Sequence, residues 1–86
     1  MGRDSLHSGV SEYIAGELRA QRARLDLTFD QVAEASGVKR GSVVRAMSGK
    51  SDIAIDVLIP LCRALRLDAG KILDEAATVA EVVDDD

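Results

Sequence analysis

Arg40, Gly41, Val44, Arg45 and Ser48 crowd into one short stretch, and their side chains suit one kind of chemistry. An arginine guanidinium can fork onto O6 and N7 of a guanine. A serine hydroxyl can pair with several base edges, and a valine can touch a thymine methyl. Gly41 carries no side chain and permits close approach to a groove wall. Lys39, Lys50 and Ser51 flank the group and suit phosphate oxygens. At about 100° per residue on a helix, the five share one side, and Val43, Ala46 and Met47 share the other. The second set is the face to bury and the first the face to present.

The elements that must position this face are legible around it. Thr28 can cap the start of a preceding short helix, with Gln31 three residues on at capping-box spacing. Asp30 lies in that helix's first turn, where the dipole favours an anion. Val32 and Ala33 point inward, and Ala33 is small enough for a second helix to cross closely. Gly37 after Ser36 fits a left-handed helix stop, Val38 re-enters the core, and Gly49 ends the second helix. Two short helices and a tight turn form a helix-turn-helix, whose second helix fits a DNA major groove. The same spacing occurs inside ordinary helical bundles, where exposed arginines are simply solvated. Spacing by itself leaves both readings open.

Residues 14 to 73 add a resemblance. Ile14, Leu18, Arg19 and Arg22 in a first helix are followed by Leu27-Thr28, Val32-Ala33-Glu34, Gly37-Val38, Arg40, Ser42-Val43, Arg45 and Gly49-Lys50. Leu58, Leu61, Ala64-Leu65, Leu67 and Ile72-Leu73 complete the order. This pattern resembles the lambda-repressor-like family, also called the Cro/C1 or Xre helix-turn-helix family. The resemblance implies an all-α, compact five-helix domain that binds duplex DNA, usually as a dimer on a two-fold operator. It implies base contacts from Arg40, Gly41, Val44, Arg45 and Ser48. Arg19, Arg22, Thr28, Lys39, Ser42, Lys50 and Ser51 then serve the phosphates. Two positions depart from the family. Phe29 stands where a Gln is usual, and Lys39 stands where a Ser often caps the second helix. Gln21 and Leu25 also differ near the end of helix 1, as if that helix were rotated or extended.

Composition sets the limits. Eighty-six residues make one domain with one helical core. Aromatics are 2%, so the core must be aliphatic and a stacking platform for single-stranded nucleic acid is excluded. Cys62 is a lone cysteine on an apolar helix face, which reads as a small core residue in a reducing compartment. His7 has no second ligand, so no metal or other cofactor is expected. No Ser/His/Asp set, Cys/His cluster or phosphate-cradling loop is present, so no enzyme is expected. No apolar run approaches the ~18 residues of a membrane span, and no signal peptide is visible. Met1-Gly2 suggests a myristoylation site, but Leu6 stands where Ser or Thr is required. A cytoplasmic, nucleoid-associated protein is the expectation.

The net charge is −4, yet it is unevenly spread. Residues 19 to 50 hold seven basic and three acidic side chains, and residues 51 to 86 hold three basic and nine acidic. Distribution matters more than the total for a polyanionic partner.

The expected organisation is a flexible arm over 1–8, a helix-turn-helix domain over 9–77, and an acidic tail over 78–86. Helix 1 is expected from about Val10 to Leu25 and helix 4 from Ile55 to Leu67, with Asp68 capping helix 5. Residues 78 to 83 are apolar and β-branched enough for either helix or strand. Val79, Val82 and Val83 exceed what a five-helix core needs and are assigned to a dimer contact. The functional expectation is a sequence-specific double-stranded DNA-binding repressor or regulator of the phage immunity-repressor or Cro type, working as a homodimer that forms either in solution or only on its operator. The alternatives are an antitoxin of the same fold, which binds a toxin as well as its operator, and a protein-binding helical adaptor.

Overall fold

A computed structural model describes the backbone of residues 2–84 and the side chains of residues 9–79. Among these residues the chain forms α1 (Gly2–Arg24), α2 (Phe29–Ser36), α3 (Arg40–Ser48), α4 (Ile55–Ala64) and α5 (Ala69–Asp84), with no strand. The expected five-helix, all-α architecture is present. α1 begins at Gly2, well before the Val10 start expected from sequence. The side chains of the expected arm over 1–8, Arg3 and His7 included, lie outside the described residues. The ambiguous segment 78–83 is helical and extends α5.

Apolar spacing explains which faces meet. Ile14, Ala15 and Leu18 form one stripe of α1 and are buried. Val32 from α2, Val43, Ala46 and Met47 from α3, Leu58, Leu61 and Cys62 from α4, and Ile72 and Ala76 from α5 close around them. Leu18, Val32, Val43 and Leu61 have no exposed surface, so the centre is aliphatic, as the scarcity of aromatics requires. Removing Leu18 beyond its Cβ would cost about 2–5 kcal/mol on this basis. Burial pushes the Cys62 thiol above its ordinary pKa, which keeps it a neutral core group.

Two kinds of corner connect the helices, each used twice. After α1, Asp26 takes a left-handed φ of 56°. The Leu27 N–H bonds to the Arg22 carbonyl and the Asp26 N–H to the Ala23 carbonyl, both at 3.1 Å. After α4, Arg66 takes φ 61°, with Leu67 N–H to Cys62 carbonyl at 2.7 Å and Arg66 N–H to Arg63 carbonyl at 3.2 Å. Both are Schellman closures, and both leave a leucine packed on the core. This closure also stops α4 at Ala64, short of the expected Leu67. The residue after each corner caps the next helix. Thr28 Oγ1 accepts from Gln31 N–H at 3.0 Å, and Asp68 Oδ1 accepts from Lys71 N–H at 3.2 Å. The second corner is Ser-Gly. Ser36 and Ser48 each bond back to their own helix, and Gly37 and Gly49 follow at φ 75° and 76°. That conformation is strained for any residue with a Cβ.

Pro60 sits inside α4, where its missing N–H leaves the Asp56 carbonyl without a helical partner. Asp56 is exposed, so water can serve that carbonyl. α5 packs along α1, and the Tyr13 hydroxyl donates to Glu75 Oε1 at 2.8 Å across the seam. No helix among the described residues is long and apolar enough to cross a membrane.

The Tyr13–Glu75 bond makes a spectroscopic prediction. The carboxylate accepts the phenolic proton and pushes the Tyr13 pKa from 10.0 up to about 12. Its contribution to stability is therefore complete below pH 10.0 and lost as pH rises through about 12. Tyr13 is the chain's single tyrosine and there is no tryptophan, so tyrosinate absorbance reads this group alone. The folded protein is expected to titrate near 12, and Glu75→Gln to bring the midpoint back towards 10.0. A midpoint that Glu75→Gln leaves in place would mean the bond does not persist in solution.

Candidate nucleic-acid interface

α2, the Gly37 turn and α3 form the helix-turn-helix anticipated from sequence. The capping box at Thr28 is complete, since Thr28 N–H donates to Gln31 Oε1 at 2.8 Å as well. At the turn, the Gly37 N–H reaches the Ala33 carbonyl at 2.9 Å and the Val38 N–H reaches Ser36 Oγ at 3.1 Å. The direction change is thus fixed by three adjacent residues.

α3 divides as its spacing requires. Val43, Ala46 and Met47 are buried, and Arg40, Gly41, Val44 and Arg45 are exposed. The space beside Gly41 is open, so that face offers no obstruction. α1 braces the far end of α3 by two routes. Arg19 Nη1 donates to the Met47 carbonyl at 2.7 Å, satisfying a helix-end acceptor. Gly49 is buried beside α1, and a Cβ on it would lie 3.4 Å from Ala15 Cβ.

The side chains assigned to nucleic-acid contacts fall into two groups. Lys39, Arg45, Lys50 and Ser51 are exposed and make no ion pair among the described residues. Several of the others already serve the fold. Arg22 Nη1 donates to the Leu27 carbonyl at 2.6 Å, its guanidinium lies 4.6 Å from the Phe29 ring centroid, and its Nε is buried without a hydrogen-bond partner. Thr28 Oγ1 caps α2. Ser48 Oγ donates to the Arg45 carbonyl at 2.8 Å and accepts from Lys50 N–H at 3.3 Å. Ser42 is half-buried and lines a shallow hollow of about 130 Å³ with Arg45, Asp52 and Ile53. Val79 is half-buried on α5, and the side chains of Val82 and Val83 lie outside the described residues.

One part of the site was not anticipated. Arg40 Nε pairs with Asp30 Oδ1 at 2.8 Å, and its guanidinium lies 5.9 Å from the Phe29 ring. The departure at Phe29 therefore places a ring within reach of two guanidinium groups. The arginines at 22 and 40 on either side of the single phenylalanine in the sequence were the available signal. Among the described residues no group of three or more His, Cys, Asp or Glu is placed to hold a metal ion.

The start of α3 is electrostatically unusual. Lys39 is the N-cap and makes no side-chain cap bond, and no acidic residue occupies the first turn. Uncapped N–H groups and Lys39 add positive potential at the positive end of a helix dipole, while the Arg40 charge is paired with Asp30. Lys39→Ser should supply the missing cap and raise stability by about 0.5–2 kcal/mol. Urea denaturation reads the change, and unaltered stability would mean these N–H groups are already satisfied.

Comparison with known proteins agrees with this geometry. Residues 14–80 match the sequence model of a helix-turn-helix domain. A search of curated protein sequences gives no match. Among solved structures, the chain is similar to the clp gene regulator ClgR from C. glutamicum. The identity is 30% and the TM-score 0.67, over 80% of this chain and 90% of that one. The chain belongs to the helix-turn-helix domain family, and its architecture is that of a DNA-binding transcription regulator.

Proposed function

We propose that this protein is a sequence-specific repressor that reads double-stranded DNA with the exposed face of α3. The observation that carries the reading is the division of α3. Its Val43–Ala46–Met47 face is spent on the core, while Arg40, Gly41, Val44 and Arg45 face outward and Arg45 has no ion-pair partner among the described residues. Arg45 and Arg40 are assigned to bases, with Val44 against a thymine methyl. Lys39 and the uncapped first turn of α3 take one phosphate, and Lys50 with Ser51 takes another. The basic run over residues 19 to 50 supports this orientation. The immunity-repressor or Cro type is the finer assignment, carried by the sequence resemblance. Such an activity places the protein with the nucleoid.

In this reading two copies bind a two-fold operator with half-sites roughly 34 Å apart. The end of α5, from Val79 through Val82 and Val83, is the proposed contact between copies.

Two experiments test these assignments. A duplex enriched by the protein from a random-sequence pool supplies the operator. Arg45→Ala should cost ~1–3 kcal/mol on that operator and relax preference at one base position. Lys50→Ala should instead weaken all sequences alike and flatten the log–log salt dependence by about one unit. Unchanged preference in both Arg45→Ala and Arg40→Ala would refute the recognition face. Separately, deleting residues 78–86 should reduce affinity for a palindromic site far more than for a half-site. Equal losses on the two sites would place the contact between copies elsewhere.

A further inference from the structure

The contacts around Arg40 form a chain that begins in the fold and ends at the proposed reading face. The Leu27 carbonyl holds Arg22, Arg22 lies on the Phe29 ring, and Phe29 with Asp30 holds Arg40. The first link is short, and Arg22 Nε is buried, so the ring rests on a fixed base. The last link takes Arg40 by Nε, which leaves both terminal nitrogens unpaired among the described residues. Those two nitrogens are a complete fork for guanine O6 and N7.

The pair is too exposed to matter much for stability. The Arg40 and Asp30 side chains are 61% and 79% accessible, and water screens such a pair to little net energy. Its cost on DNA is also plain. Asp30 is a carboxylate beside the proposed interface and repels phosphates. A weakly stabilising, DNA-repelling acid in contact with a base-reading arginine has its effect on orientation.

Resting on the DNA-reading assignment above, we infer that Asp30, seated by Phe29, is a specificity-determining positioning residue. It holds Arg40 by Nε so that the guanidinium meets a base edge, and it keeps Arg40 from collapsing onto the nearest phosphate. Arg45 has no such holder, so the two arginines differ. Arg40 is preordered, and Arg45 becomes ordered only on binding. Preordering one long side chain is worth about 2- to 10-fold in discrimination, with no requirement for a gain in total affinity.

The test uses the full chain and the duplex it enriches from a random-sequence pool, compared with the same duplex changed at the base pair Arg40 reads. Asp30→Asn should lower the ratio of the two affinities by about 2- to 10-fold while leaving the altered duplex bound as tightly or more tightly. A merely structural role would weaken both duplexes together. The effect should vanish in the Arg40→Ala background, and Asp30→Glu should restore most of the ratio. In the DNA-free protein, the Arg40 Nε–H proton should exchange with solvent faster after Asp30→Asn. Equal gains on both duplexes would reduce Asp30 to a general repulsive charge and overturn the inference. A loss of ratio that persists in Arg40→Ala would overturn it too. If Arg40→Ala alone leaves the ratio unchanged while Arg45→Ala lowers preference, Arg40 is not a base reader and the inference fails, yet the recognition face stands. Absence of salt-dependent duplex binding by the wild type would remove both.

Discussion

A helix of nine residues does not hold its shape in water, because isolated helices shorter than ~12–15 residues are marginal. α3 is such a helix, and α2 is shorter still. Their order comes from burying Val32 on one and Val43, Ala46 and Met47 on the other against the wall made by α1 and α4. Arg19 adds a fixed endpoint by reaching from α1 to the last turn of α3. The outward face of α3 can be polar and uncommitted only because the inward face is fully committed. Position and orientation of that outward face are therefore properties of the core.

A core without tryptophan, and with one phenylalanine and one tyrosine, lacks large rings to wedge its helices apart at set angles. Main-chain closure takes over that role. Schellman corners follow α1 and α4, and Ser-Gly corners stand before and after α3. Gln21 Nε2 ties the two Schellman corners together by donating to the Leu65 carbonyl at 2.9 Å. The departure at Gln21 thus has a structural use, in a bond that an apolar side chain could not make.

Much of this was legible in the sequence where one residue type has one physical use. Thr28 with Gln31, Asp68, Gly37 and Gly49 marked the helix limits, and the 3.6-residue period separated the two faces of α3. Less legible were positions where an ordinary residue does an unusual thing. Asp26 and Arg66 adopt a glycine-like conformation, and nothing in their types announces it. The extent of α5 was obscured because Thr78, Val79 and Val82 favour strands in isolation, whereas the segment continues α5 as helix. Arginines posed the hardest case. Arg19 and Arg22 look like Arg45 in sequence, but each sends a guanidinium N–H to a main-chain carbonyl. Long side chains choose partners by three-dimensional proximity, which periodicity does not encode.

The two-sided character of α3 has an evolutionary consequence. None of Gly41, Val44 and Arg45 belongs to the buried core or makes a side-chain hydrogen bond among the described residues. Duplicated copies of this chain could diverge at those positions without losing stability along the way. Arg40 is tied to a partner, since a new residue there must also suit the facing Asp30 carboxylate beside the Phe29 ring. New preferences should therefore arise first around Arg45, with Arg40 the slower letter to change.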